Sequence, residues 1–160
     1  MSGVPPSVLA GHAFLQGMTA EQVAKLAQAT TAISMAAGHR FFEEGGLAER
    51  FWLIRTGHVA LDVHVPGRAR LIVETIGDGD LIGLSWASLP RQWQYGAEAI
   101  QPTTAFELDA AAVIALCDAD PALGYQLTRR LMAVAARRLH AARIRMMDLY
   151  APPGQPGAAS

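Results

Sequence analysis

The sequence predicts an α+β domain in which β structure dominates: a sandwich or small roll of short strands, preceded by a short helix and followed by one long helix. Three observations carry this. Apolar runs alternate with turn residues between Thr31 and Leu108, at the spacing of about 8–12 residues that marks a sheet-rich domain. A helix-capping pattern stands before them at Thr19, and Asp120-Pro121 opens a segment with no further proline until Pro152. With 160 residues, 51% hydrophobic and 17% charged, the chain can bury one core and is too apolar to stay disordered.

Taken in order, Met1 to Gly11 has no Lys or Arg and no apolar run of signal length, and residues 1–11 are expected to be a tail. Gln22 follows Thr19 by three residues, a capping-box spacing, and Val23, Leu26 and Ala27 share a helical face. The helix should stop near Ala29 to Thr31, where β-branched residues begin. Ile33, Met35 and Ala37 alternate up to Gly38; Phe41-Phe42 leads into a turn at Glu43 to Gly46; Phe51 to Ile54 is a short buried run ending at Gly57. Val59, Leu61, Val63 and Val65 have the period of a half-buried strand, Pro66-Gly67 turns the chain, and Leu71, Val73 and Ile76 lead back. Asp78 to Asp80 is a turn, and Ala97, Ala99 and Thr103 to Leu108 supply two closing strands. Asp109 caps a short helix through Leu116. After Asp120-Pro121 a helix of about 30 residues, roughly 44 Å long, is allowed. Residues 12–150 form the domain, and 151–160, rich in Pro, Gly, Ala and Ser, are expected to be disordered.

Composition removes several functions. Thirteen basic residues against fourteen acidic leave a net charge of −1, which argues against a basic surface for nucleic acid. The one cysteine, Cys117, excludes a disulfide within the chain and a cysteine metal cluster, and in the later helical part it is poorly placed as a haem ligand. His58 and His64 are two ligands where a metal needs three or more, and neither His39 nor His140 obviously joins them, so surface strand histidines are the simpler reading. There is no P-loop, no G-x-G-x-x-G and no nucleophile elbow; Leu84-Ser85-Trp86 lacks the G-x-S-x-G form. Glu43-Glu44 reads as solvated turn acids. No catalysis and no metal are expected. No window approaches about 18 apolar residues, so no membrane span is expected and the cytoplasm is the simplest compartment.

The long helix carries two apolar stripes. Leu123, Leu127, Leu131 and Val134 can pack on the strands, while Tyr125, Thr128, Met132, Ala135, Leu139, Ala142, Met146 and Leu149 follow heptad spacing. Two apolar faces, with a positive mean hydropathy of +0.20, point to a homodimer through this helix; the alternative is a helix buried all round by its own domain. Of its six arginines, Arg138 and Arg143 are the two best placed to meet an anionic ligand.

Five segments in order resemble a known family. They are Phe14-Leu15 with Met18-Thr19-Ala20-Glu21; Phe42-Glu43-Glu44-Gly45-Gly46; the run from Phe51 to Leu61 through Gly57 and Val59; Gly79-Asp80-Leu81-Ile82-Gly83; and Ala135-Ala136-Arg137-Arg138-Leu139. Together they resemble the cyclic nucleotide-binding domain of the Crp/Fnr-type regulators, in a stand-alone form. The resemblance implies a double-stranded, jelly-roll-like β-roll with an N-terminal helix and a long C-terminal dimerisation helix, and a non-enzymatic sensor or regulatory role. It places a phosphate-binding cassette at Gly83, Leu84, Ser85, Trp86, Arg91, Trp93, Tyr95, Gly96 and Ala97, and ligand-facing helix positions at Arg138, Ala142 and Arg143.

At the cassette the sequence departs from the family pattern. A buried phosphodiester wants backbone donors at a helix start and a fork-shaped cation. Leu84 stands where the family has a ribose-binding Glu, and Tyr95-Gly96-Ala97 aligns with its Arg-Ser/Thr-Ala signature, so Tyr95 replaces the arginine. Cyclic AMP is therefore expected to bind weakly or not at all. Trp86 and Trp93 either plug the vacated pocket or line a site for a different nucleotide or a small anionic or aromatic ligand. Arg91 is the nearby cation, and Ser85 with the amides of Leu84 to Trp86 is a residual anion site. A metal-dependent, cupin-like roll enzyme is the third reading. The family's transcription factors continue into a helix-turn-helix; here the sequence runs into Ala151-Pro152-Pro153-Gly154, so the expected route of action is a partner protein, without direct DNA contact.

Overall fold

The computed structural model describes residues 3–150; the tail predicted at 151–160 lies outside them. Residues 3–11, read from sequence as tail, pack instead: α1 (Pro6–Leu9) starts on a proline at its first turn, Leu9 is fully buried and Val4 nearly so. Two isolated apolar residues give no periodicity, which is why the segment is silent in sequence. A 3-10 turn at Ala13–Leu15 follows, then α2 (Ala20–Ala27). The capping box forms as its spacing predicts: Gln22 N–H donates to Thr19 Oγ1 and Thr19 N–H to Gln22 Oε1, both at 3.1 Å.

Eight strands follow: β1 (Thr30–Met35), β2 (Arg40–Phe42), β3 (Arg50–Thr56), β4 (Val59–Val63), β5 (Leu71–Ile76), β6 (Leu81–Ile82), β7 (Gly96–Ala99) and β8 (Thr103–Asp109). They form two antiparallel four-stranded sheets, ordered β1-β8-β3-β6 and β2-β7-β4-β5. This is the β-roll. Phe51, Leu53, Ile54, Phe106 and Leu108 from one sheet and Val59, Leu61, Ile76 and Ala97 from the other belong to a single core. Phe51 to Ile54 is buried on both faces: Phe51 stacks on Trp86 and Trp52 on Phe42, and His12 Nε2 meets Ile54 O at 2.7 Å.

α3 (Ala110–Ala119) starts at Asp109, whose Oδ1 accepts from Ala112 N–H at 2.8 Å, and runs one turn further than the sequence predicts. α4 (Pro121–Tyr150) begins immediately beyond Asp120. Asp120 receives Lys25 Nζ at 2.7 Å, which ties α2 to the helix junction and holds the Asp120 carboxyl below its usual range. Leu123, Leu127, Leu131 and Val134 are buried, while Tyr125, Met132, Leu139, Met146 and Leu149 are exposed. No helix among the described residues is long and apolar enough to cross a membrane.

Candidate functional site

β6 ends at Gly83, whose φ of +89° is a conformation that favours glycine. The chain then makes one 3-10 turn, Ser85–Ala87, with no side-chain cap, and returns through Trp93 to β7. Between this segment, the β2-β7-β4-β5 sheet and α4 lies a cavity of about 440 Å³. Its apolar wall comes from Phe42, Leu61, Val73, Leu84 and Trp93, with Ala135, Leu139 and Ala142 on the helix side; its polar groups are Glu74, Ser85, Ser88, Gln94, Tyr95, Arg138 and Arg145.

The two tryptophans are both core residues, in different places. Trp93 stacks on Phe42 with centroids 3.9 Å apart and planes 15° from parallel. Its six-membered ring lies against Gly83, where a Cβ would come within 3.0 Å of Trp93 Cη2. The indole therefore fills the space above the glycine turn and also lines the cavity. Trp86 stacks on Phe51 at 4.6 Å and 13°, and its buried Nε1 has no hydrogen-bond partner. It lines a second cavity of about 640 Å³, bounded by Leu89 and Arg91 on one side and by Ile114, Cys117, Leu131 and Met132 of α3 and α4 on the other. Burial raises the Cys117 thiol pKa, with Asp118 and Asp120 adding to the effect.

The charged residues divide in a way the sequence does not announce. Arg138 reaches down from α4 to the roll: its Nη2 donates to Leu81 O and to Asp80 Oδ1, the latter at 3.3 Å, and its Nε is buried without a partner. Arg143 and Arg145 are both exposed; Arg145, two helical turns on, lines the same cavity and Arg143 does not. Arg91 is exposed and lines the second cavity rather than the first. Glu74 enters from the sheet side because its β5 position pairs with Leu61, another wall residue. Among the described residues neither Glu74 nor Arg145 makes an ion pair. Neither stands out in sequence: Glu74 interrupts an apolar alternation, and Arg145 is one of six helix arginines.

Tyr95 stands at the rim, 44% exposed, and Gly96 and Ala97 are buried in β7. Behind Gly96 lies a paired cluster. Arg40 Nη2 donates to Asp62 Oδ1 at 3.1 Å, and Arg40 Nε to Glu43 Oε1 at 2.9 Å. Asp62 is 6% exposed. The hydrogen bond to Asp62 pushes the Arg40 pKa further up, and Arg40 holds the Glu43 carboxyl below its usual range. His58 bonds the Gln101 side chain, and His64 offers its backbone N–H to Glu44. Among the described residues no three His, Cys, Asp or Glu side chains gather as a metal site.

Comparison with known proteins gives one family and one fold. A family model described as cyclic nucleotide-binding domain matches residues 32–120. A structure from Geobacter metallireducens, described as a cyclic nucleotide-binding protein, superposes with a TM-score of 0.77 at 24% identity, covering 86% of this chain and 99% of that one. A cyclic nucleotide-binding domain from Methylobacillus flagellatus gives 0.76 at 21%, covering 86% and 76%. The catabolite activator protein of Thermus thermophilus gives 0.66 at 23%, covering 86% and 63%. At these identities the likeness establishes the fold. No curated protein matches the sequence.

Proposed function

The chain belongs to the cyclic nucleotide-binding domain family, and from that premise we propose a non-catalytic sensor or regulatory domain whose phosphate cassette no longer holds cyclic AMP. The observation that carries this is the source of charge at the cavity: Tyr95 occupies the rim where the family resemblance expects arginine, and the lining guanidinium groups, Arg138 and Arg145, come from α4. A cyclic phosphate settling at Gly83 would meet the Trp93 ring and no cation from its own segment. Each charge-assisted hydrogen bond lost in such a site is worth about 1.5–3 kcal/mol.

The domain acts as a cytoplasmic homodimer and passes its signal to a partner protein rather than to DNA. The exposed stripe of Met132, Ala135, Leu139, Ala142, Met146 and Leu149 supports self-association, and a net charge of −1 supports a protein partner over a phosphate backbone. A second reading, a binding module for another small ligand, is favoured by the cavity itself, since about 440 Å³ lies beside Glu74 and Arg145, which make no ion pair among the described residues. Isothermal titration with cyclic AMP tests the first reading: no saturable heat is expected at micromolar concentration, and a micromolar or tighter dissociation constant would overturn it.

A further inference from the structure

The larger of the two cavities described above, about 640 Å³, lies between the 3-10 turn Ser85–Ala87 and the helices α3 and α4. Gly83, Trp93 and Tyr95 are not among its walls, and neither is any strand residue. We propose that it binds a neutral, largely apolar molecule bearing one carbonyl-type oxygen, which accepts a hydrogen bond from the Trp86 indole. The volume is of the size that encloses a small organic ligand. The inner wall is apolar, built from Trp86, Ile114, Cys117, Leu127 and Leu131.

The buried donor selects the acceptor. Trp86 is 5% exposed, and its Nε1 has no hydrogen-bond partner among the described residues, which is rare for a buried N–H. Trp52, equally buried, donates its Nε1 to Glu107 Oε2 at 2.9 Å. One face of Trp86 is spent on Phe51, which leaves the other face and the ring edge for the cavity. The turn that carries it is short and has no side-chain cap; Ala87 N–H donates to Leu84 O at 3.0 Å within it, and the indole has room to bring its edge to an occupant. An indole N–H only donates, so its partner must be an acceptor. The charges exclude an anion. Arg91 and Asp118, both exposed and opposite in sign, offset each other at the edge of the cavity. Further in, burial raises the Cys117 thiol pKa, and Asp118 and Asp120 raise it further, so the local field is negative. A neutral oxygen on an apolar frame meets the N–H without bringing charge into that field.

The probe that tests this is 6-propionyl-2-(dimethylamino)naphthalene, a neutral two-ring ketone whose emission moves to shorter wavelength when it leaves water. Fluorescence titration of the full chain should show saturable binding. Occupancy should slow the alkylation of Cys117, the one cysteine, by N-ethylmaleimide at least about fivefold at saturation. The same naphthalene without the ketone should bind about fivefold more weakly, and the anionic 8-anilinonaphthalene-1-sulfonate should leave Cys117 unprotected. Trp86→Phe keeps a ring on Phe51 and removes the N–H; it should weaken the ketone about fivefold and leave the ketone-free probe unchanged. No saturable binding, binding that leaves the alkylation rate unchanged, or an equal loss of both probes in Trp86→Phe would overturn the assignment. If that variant does not fold, the wild type decides alone, since equal affinity for the two neutral probes overturns it as well. Binding confined to the Leu139→Glu variant would mean that a second copy of the chain covers the groove, and would also overturn it. The result stands apart from the cyclic AMP titration, because it is read at Cys117, which does not line the cavity beside Gly83.

Discussion

The two halves of α4 carry the same kinds of side chain, but only the first has one of its apolar stripes covered. From Pro121 to Val134 the helix lies on α3 and the roll, and Leu123, Leu127, Leu131 and Val134 are 0–8% exposed. Beyond Val134, Leu139, Ile144, Met146, Met147 and Leu149 are 42–83% exposed. The remaining 16 residues, Ala135 to Tyr150, extend about 24 Å at the usual rise of 1.5 Å per residue. Arg138 ties the start of this second half to the roll, through Asp80 and Leu81. A helix's pattern says which stripe wants cover; the length of the surface beneath decides how much of the stripe receives it.

The largest effect expected from this contrast is on the covered half. Leu127→Ala should lower the unfolding free energy by about 2–5 kcal/mol, because it leaves a cavity where the helix meets its own domain. Urea denaturation should show that loss at every protein concentration; a change under about 1 kcal/mol would mean the first half is no better anchored than the second. Leu139→Glu should act differently. At high dilution its effect on stability should stay within about 0.5 kcal/mol, as for other exposed sites. At micromolar concentration, light scattering should show a dimeric wild type and a monomeric variant, since a carboxylate would then be buried unpaired in the seam. A monomeric wild type would remove the dimer from the account.

The smallest effect belongs to the roll alone. His12 is 6% exposed, with Phe14 N–H donating to Nδ1 at 3.1 Å and Nε2 facing Ile54 O at 2.7 Å. The ring is therefore neutral with its proton on Nε2. Burial lowers its pKa, against a smaller upward pull from the Ile54 carbonyl and Asp80. The folded state resists the proton that the unfolded chain accepts, so the His12 contribution is present above about pH 6.5 and is lost as pH falls through the lowered folded value. Melts across that range should flatten in a His12→Gln variant, and an unchanged slope would show that another group sets it.

The fold was legible in sequence wherever a local rule decides it. Thr19 with Gln22, Asp109, and Asp120 with Pro121 each mark a helix start through their own chemistry, and the alternation around Val59 and Leu61 gives β4. The cavity was legible only in part. Gly83, Ser85 and Trp93 stand in one stretch of chain and lie together in the structure. Arg91 does not join them although it is adjacent in sequence, because the backbone there is committed to bonding Ala48 and the side chain turns toward the second cavity. Glu74 and Arg145 join from far along the chain through strand register and helical phase. Neither can be read before it is known which faces meet. Asp62 was hidden for the same reason: within an alternating strand it reads as solvent-facing, and only the arrival of Arg40 from β2 makes its burial tolerable.

That pair also governs which sequences lie within reach of this one. The family signature puts arginine at position 95 and serine or threonine at 96. The first change is open, since Tyr95 is at the surface. The second is closed: in the sheet order β2-β7-β4, Arg40 and Asp62 join hands over β7 at the one place where it has no side chain, and a Cβ on residue 96 would collide with Arg40 Nη2 and Asp62 Oδ1. Displacing the arginine strands a buried carboxylate, a loss of about 3–5 kcal/mol, which is a large part of a domain's stability. A series of substitutions that begins at position 96 has to move this pair first, and a designer rebuilding the signature should replace Arg40 and Asp62 together before touching the glycine between them.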